Sequence, residues 1–322
     1  MSLKPSIIKR QIIRELPKDV NLTNFQKERL YWEIIFIHLE HEMALRFIEY
    51  ITQNKFEVEN FINDLDKESK GELENVIKNL KFMSELNLME VVQKFMVSKK
   101  KLLEHLYNLE TIKNNYKLPV ELHEEAIFKY KHGLKYLPLE IIKTLKSTVF
   151  LDCGAFTGDS AIIFEKEYHP SRIYAFEPNP DNYRYLLETI KLNNLEKVIP
   201  IQKGVGNETG ITNYNPFGIA SCVSEEGSKK MDLVSIDDFV NEHNLSIGLI
   251  KMDVEGYELE ALSGAKLTIE RFKPVLLISI YHNPEELFGT KKFIQDIISD
   301  YIFKIKHLAD LRPLGEIHLI AW

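Results

Sequence analysis

The chain has 322 residues, with 41 Lys and Arg against 48 Asp and Glu, so its formal net charge at pH 7 is −7; a negative surface does not build the clustered cations that neutralise a phosphate backbone, which argues against a nucleic-acid partner. Hydrophobic and charged fractions of 44% and 28% exclude disordered and collagen-like classes and leave a globular protein long enough for two domains of roughly 150 residues. No run approaches the roughly 20 apolar residues that span a bilayer, the leading MSLKPSIIKRQIIRELPKD lacks an apolar signal core, and Cys153 and Cys222 have neither metal nor disulfide spacing, so a cytoplasmic, reducing compartment is expected.

From the amino terminus the pattern is helical. In Glu28 to Ile51 apolar residues recur every three and four positions with glutamate and arginine between them, Pro17 lying ahead and Asn54 acting as a stop. Gly71 to Met96 and Lys100 to Asn114 repeat the pattern, with Phe61 to Gly71 as a polar join. Residues 1–136 therefore read as one all-helical region without an internal repeat. Its basic run, Val97 to Leu106, reads as the solvated face of a helix. His38, His41 and His105, set among glutamates, read as solvated rather than as ligands. Such helices must cover their apolar stripe with a sheet edge or with a second copy of the chain. The stretch His41 to Ile51 is accordingly a homodimer surface or a lid over an acceptor.

Beyond this region the period changes. Val149, Phe150 and Leu151 form the apolar run of a doubly covered parallel strand, which ends at Asp152 and restarts as a helix after a turn bracketed by Gly154 and Gly158. Open α/β sheets bind ligands at such carboxyl ends. A pyrophosphate site wants G-x-G-x-x-G, so that bare amides can close on the phosphates; here Ala155 and Phe156 stand between the two glycines, and Phe156 crowds a pyrophosphate. S-adenosylmethionine, which carries no phosphate, fits the turn better. A second strand from Arg172 ends in Glu177, near the roughly 20-residue spacing of an acid that binds ribose hydroxyls, and Pro178 and Pro180 end it. A third, from Val198, runs through Gly204, Val205 and Gly206, where an adenine ring has room against backbone. A fourth, from Gly248, carries Lys251, Asp253 and Glu255 before Gly256. A fifth follows Pro274 and delivers Tyr281, His282 and Asn283 to the same edge.

The segments DCGAFTGDS, AFEPNP, IKMDVEGYE and SIYHNPEEL, in this order, resemble the FkbM family of S-adenosylmethionine-dependent methyltransferases, with the resemblance running from Leu137 to Trp322. It implies an α/β, class I (Rossmann-like) methyltransferase, with a seven-stranded, mostly parallel sheet whose last strand is antiparallel, in a domain of residues 137–322. It further implies methylation of a hydroxyl oxygen on a sugar, glycan precursor or secondary metabolite. Asp152, Gly154 and Glu177 match the family's cofactor positions; Asp253, Glu255 and Gly256 match its D-V-E-G signature. YIFKIKH and EIHLIAW resemble its final strand pair. His132 to Ser147 resembles the family's approach helix, a wall of the cofactor pocket.

The cofactor set expected is thus Asp152, Gly154, Ala155, Phe156, Gly158, Glu177, Pro178, Gly204, Val205 and Asp253, with no metal. Methyl transfer from a sulfonium mainly needs alignment, assisted by a base on the hydroxyl. His282, titrating near neutrality, and Asp253 are the catalytic candidates; Glu255, Tyr281 and Asn283 line the acceptor side. Each has a plainer alternative. Asp253 caps the following helix or pairs with Lys251, whose partner is otherwise unnamed; Glu255 points at solvent; His282 serves only the turn in which Asn283 resembles an N-cap and Pro284 an N1 residue. Asp253, Glu255 and Asn283 are also oxygen ligands of the type magnesium accepts. Gly210 to Lys230 reads as a specificity loop, in which Tyr214, Phe217 and Ser221 are placed to meet a sugar. The rival readings are a nicotinamide oxidoreductase, disfavoured by the missing glycine, and a non-catalytic nucleoside-binding module.

Overall fold

Thr23 opens helix α1 (Asn24–Gln53) with a capping box: its hydroxyl accepts the Gln26 N–H, and the Gln26 side chain accepts the Thr23 N–H. In this computed structural model, which describes residues 9–10, 12–14, 20–96, 99–217, 220–223, 229–309 and 311–322, four helices follow: α2 (Lys55–Asn63), α3 (Lys67–Glu85), α4 (Leu88–Met96) and α5 (Lys99–Asn115). Asp66 caps α3 by accepting the Glu68 and Ser69 N–H groups. The buried residues Leu30, Ile34, Ile37, Ala44 and Phe47 make one stripe of α1, facing Leu73, Val76, Leu80 and Met83 of α3 in a common core. Short helices α6 (Glu125–Phe128) and α7 (Leu139–Leu145) flank a 3₁₀ turn, Lys131–Tyr136.

The second half alternates strand and helix: β1 (Val149–Cys153), α8 (Asp159–Ile163), β2 (Arg172–Phe176), α9 (Pro180–Asn193), β3 (Val198–Ile201), β4 (Gly204–Val205), β5 (Gly210–Phe217), β6 (Ala220–Val223), β7 (Lys229–Val234), α10 (Ile236–Glu242), β8 (Ile247–Met252), α11 (Glu258–Ser263), α12 (Lys266–Phe272), β9 (Val275–Ser279), α13 (Pro284–Ile297), β10 (Phe303–His307) and β11 (Ile317–Ala321). Seven strands form the main sheet in the order β10-β11-β9-β8-β1-β2-β3. The pairs β2–β3, β1–β2, β1–β8 and β8–β9 are parallel, and β11 runs antiparallel to β9 and β10. The chain leaves β1 toward β2 and β3, then returns to build outward from β8, so the order reverses between β1 and β8. A crevice opens at the carboxyl ends of strands at such a reversal.

Two expectations change. Gly210 to Lys230 is not a loop: β5, β6 and β7 join β4 in a second, four-stranded sheet, order β4-β7-β5-β6. Residues 218–219 and 224–228 lie outside the described residues, as do the side chains of Phe217 and Ser221. Second, part of the apolar face His41 to Ile51 is covered within the chain, while Leu45 stays exposed. Ala44 and Phe47 are fully buried, and Tyr50 stacks on Phe288 of α13 at 5.6 Å between ring centroids. The helical region also closes the sheet edge, where the Ile305 N–H of β10 donates to Ser69 Oγ at 2.9 Å and Lys304 and Lys306 pair with Glu68. One hydrophobic cluster runs from α1 through α3 to β8, β9 and β11.

His105 is likewise not solvated. It lies 7% exposed between Glu125 (2.8 Å) and Glu33 (3.2 Å), and Glu33 also takes a hydrogen bond from Arg29. Burial opposes a charge on His105, but the two carboxylates prevail and raise its pKa to about 9. His41 Nε2 lies 2.9 Å from the Leu86 carbonyl, and half-buried His38 lies 3.5 Å from Glu42.

Candidate active site

At the β1/β8 reversal lies a cavity of about 280 Å³, close to the lower end of the roughly 300–1,000 Å³ range of small-molecule sites. Its near end is built on β2. The Glu177 carboxylate is held by N–H donors from Asn179 (2.8 Å) and Phe156 (2.9 Å), and burial pushes its pKa up to about 7 despite them. Two oxygens carry about four acceptor sites, so Glu177 keeps lone pairs for a ligand's hydroxyls. Opposite it, Met231 and Leu233 of the second sheet, with Gly204 and Val205, make an apolar wall against which a flat base can lie. A Cβ on Gly204 would come within 2.7 Å of Leu233, so this approach depends on glycine.

The middle is the turn after β1. Gly154 has φ +78°, and a Cβ there would sit 1.7 Å from the Asp253 carbonyl oxygen; only glycine lets the β1 and β8 termini close on each other. Phe156, also at positive φ, Pro178 and Asp159 line the cavity. Asp152, Ala155 and Gly158 do not. Asp152 is fully buried beneath the turn, accepting from Ser160 Oγ at 2.5 Å and lying 3.4 Å from Lys251 Nζ. It supports the turn instead of touching a ligand, because the parallel register sets Asp152 directly beside Lys251. Lys251 thereby gains the partner that its buried position demands, and Nζ also donates to the Gly154 carbonyl at 2.6 Å. Burial disfavours its charge, yet Asp152, Asp253 and Asp159 raise its pKa. Ala155 is buried in the core, and Gly158 is the N-cap residue of α8.

The far end gathers the D-V-E-G and Y-H-N residues. His282, 12% exposed in its side chain, has Nδ1 at 3.1 Å from Glu258 and 3.9 Å from Glu286, and Nε2 at 3.5 Å from Asp253 and 3.7 Å from Glu255. Burial works against its charge, but Glu258, then Glu255 and Asp253, raise its pKa well above the ordinary value. Carboxyl groups at both nitrogens favour the imidazolium, which has no lone pair for a proton, so this geometry weighs against His282 and toward Asp253 as the base. Glu258, which accepts the Val254 and Gly256 N–H groups, is lowered to about 2: burial opposes ionisation, and His282 outweighs it. Asp253 does not cap the following helix, whose N-cap is Tyr257; the first helical N–H, that of Glu258, donates to the Glu286 carboxyl at 3.3 Å. Asn283 is the N-cap of α13, accepting the Glu286 N–H at 2.8 Å, and does not line the cavity. Tyr281 lines it, with its hydroxyl 3.5 Å from Glu316, and Glu255 stands at positive φ on its exposed rim. Ligand atoms of Asp253, Glu258 and His282 lie within 4.8 Å of one another.

Several lining residues carry no signal in local sequence. Phe36, Leu39, Glu40 and Met43 of α1 wall the far end. Arg312, in the β10–β11 loop, donates Nε–H to Glu40 at 2.9 Å, reaches Glu124 at 3.4 Å and Glu316 at 3.7 Å, and lies over the Phe36 ring at 4.5 Å. Glu40 also accepts the Leu314 N–H at 2.8 Å. Only the i, i+3, i+7 spacing of Phe36, Leu39 and Met43 hints at one helix face.

A family model described as a methyltransferase FkbM domain matches residues 152–305. The chain is similar to hexuronic acid methyltransferase AglP of Haloferax volcanii, 29% identical over 171 residues covering 50% of this chain and 68% of that protein. It is also similar to methyltransferase sdnD of Sordaria araneosa, 28% identical over 178 residues, 44% of this chain and 69% of that one. Among solved structures it resembles methyltransferase FkbM from Methylobacillus flagellatus KT, with a TM-score of 0.58 and 22% identity over 85% of this chain. This chain spans 60% of that protein, and the likeness is one of fold. No helix among the described residues is long and apolar enough to cross a membrane.

Proposed function

Residues 152–305 form an FkbM methyltransferase domain, the chain is an S-adenosylmethionine-dependent methyltransferase, and from that premise we propose that it methylates a hydroxyl oxygen of a carbohydrate or carbohydrate-like acceptor. The cavity's chemistry fits the cofactor. Glu177 offers acceptor sites to ribose hydroxyls, the Gly204–Val205 and Met231–Leu233 walls suit adenine, and the bulk of Phe156 is compatible with a ligand that lacks phosphates. When bound, S-adenosylmethionine supplies an electrophilic methyl group on a sulfonium.

The residues at the far end orient the acceptor and receive its proton. Asp253 carries a carboxylate at the tip of β8 beside the opening, and it takes the proton from the acceptor's hydroxyl as the new C–O bond forms. His282 holds Asp253 in place through its imidazolium and balances part of the surrounding negative charge. The observation that supports this division of labour is the ring of four acidic side chains about His282, among which burial pushes Glu286 up to about 9 and Glu255 up to about 7, leaving Asp253 and Glu258 as its charge partners. The α1 face and the Arg312–Glu40 pair bound the acceptor space, so specificity resides in the helical region and the β10–β11 loop. The relative named for a hexuronic acid supports placing a carbohydrate first among acceptors.

Incubation with methyl-labelled cofactor and a panel of sugars, uronic acids and glycan precursors tests the reading. An alkali-stable methyl ether located by mass spectrometry is expected. A methyl group found on carbon, on nitrogen or in an alkali-labile ester refutes the hydroxyl assignment.

A further inference from the structure

Resting on the cofactor reading above, we propose that His132, with Asp159, recognises the amino-acid head of the methyl donor. His132 is 2% exposed and lines the cavity, yet among the described residues neither ring nitrogen has a hydrogen-bond partner. A buried polar group left in this state is costly. Its ring has aromatic contacts with Phe164 at 6.2 Å and His318 at 5.5 Å between centroids. A ligand in the cavity is the partner that can satisfy it.

The backbone is arranged to put it there. Lys131, His132 and Gly133 have φ of +57°, +50° and +93° in succession. Side chains other than glycine's resist this region, and such strain persists only where surrounding packing imposes it. The packing is visible at Gly133, where a Cβ would meet Ile320 at 2.5 Å. The turn is thus pinned against β11 while the His132 ring is turned inward.

Position and charge then select the ligand group. Gly154, Asp159, Lys251 and His132 line the same cavity as Glu177 and Asp253, and Lys251 is within electrostatic reach of His132, Asp159 and Asp253. An α-amino acid head carries one cation and one anion. Asp159, 4% exposed, accepts the Ser160 N–H at one oxygen and keeps the other for the ammonium; burial pushes its pKa up to about 7, and a cation beside it favours the ionised form. Burial, together with Lys251 and His318, keeps His132 neutral, so one of its nitrogens bears an N–H able to donate to the carboxylate. Lys251 is already engaged by Asp152 and the Gly154 carbonyl.

Titration calorimetry on the full chain separates this role from a structural one, using S-adenosylhomocysteine and 5′-methylthioadenosine, which lacks the amino-acid head. His132→Ala should weaken S-adenosylhomocysteine by about tenfold or more, as befits one hydrogen bond to a charged group, while 5′-methylthioadenosine stays within about twofold. Asp159→Asn should discriminate in the same sense. Equal losses for both ligands, or an unchanged affinity for S-adenosylhomocysteine, overturn the proposal alone. A wild-type chain that binds neither nucleoside overturns the cofactor reading and this inference with it.

Discussion

Replacing Lys251 by methionine tests the support beneath the cofactor turn. Lys251 and Asp152 have side chains 4% and 0% exposed, with 3.4 Å between Nζ and Oδ1, and Asp152 Oδ1 has no hydrogen-bond partner among the described residues. Removing one member of a buried pair strands the other as an uncompensated charge, at a cost of about 3–5 kcal/mol. In the Lys251→Met chain the Gly154 carbonyl also loses its 2.6 Å donor, which loosens the turn between Glu177 and Asp253. Asp152→Asn in the same chain removes the stranded charge and keeps an oxygen for the Ser160 hydroxyl. The double variant should therefore be more stable than Lys251→Met alone by about 2 kcal/mol, a coupling within the range of contacting residues. Urea unfolding of the four chains measures it, and calorimetry with S-adenosylhomocysteine should find weaker binding in both chains that lack Lys251. A single-variant cost below about 1 kcal/mol, or strictly additive effects, would refute the argument that this ion pair holds the site.

At His282 the ring's carbon-bound proton should keep its imidazolium chemical shift from pH 6 to 8 in NMR spectra; a midpoint at or below 7 would restore the general-base reading. The His105 cluster makes stability depend on pH. Because its pKa rises from 6.5 to about 9 on folding, its contribution is fully present below 6.5 and is lost as pH climbs through 9. It amounts to at most about 3 kcal/mol at roughly 1.4 per pKa unit, so urea unfolding at pH 6.5 and 9.5 should differ more for the wild type than for His105→Gln. Since a proton on each nitrogen of His282 already offsets Asp253 and Glu258, chelation with EDTA should leave turnover unchanged; loss of turnover restored by magnesium would assign those residues to a metal.

The main sheet was legible because its strands are buried on both faces. Apolar runs such as Phe150–Leu151 and Leu249–Ile250, each ending in an acid or glycine, need no tertiary information to be seen. The second sheet was not. Its strands carry Asn, Gly, Pro and Ser, the composition of a loop, and β4 joins them through the pairing of Gly204 with Leu233, far along the chain. Site residues that lie in a local motif, such as Glu177, Asp253 and His282, were found on sequence spacing. The separation of Asp152 from Lys251 conceals that parallel register makes them neighbours. Arg312, Glu40, Glu124 and His132 each sit in an unremarkable stretch, and they meet only once the helical region folds against the sheet. The surroundings of His282 are hidden for the same reason: the ordinary titration of a histidine says nothing of the acids at 3–4 Å that surround it in the folded chain.

The seal that α3 makes along β10 governs how this enzyme can be dissected. A truncate beginning at residue 137 would strip Ser69 and Glu68 from the outermost strand, baring its amide row and the greasy underside of the barrier it shares with α1. Such an open rim is a template for strand addition from a neighbouring molecule, so the excised catalytic half would clump on expression even with every motif residue intact. Altering guest preference is better done by point exchanges at Phe36, Leu39 or Met43 than by transplanting whole helices.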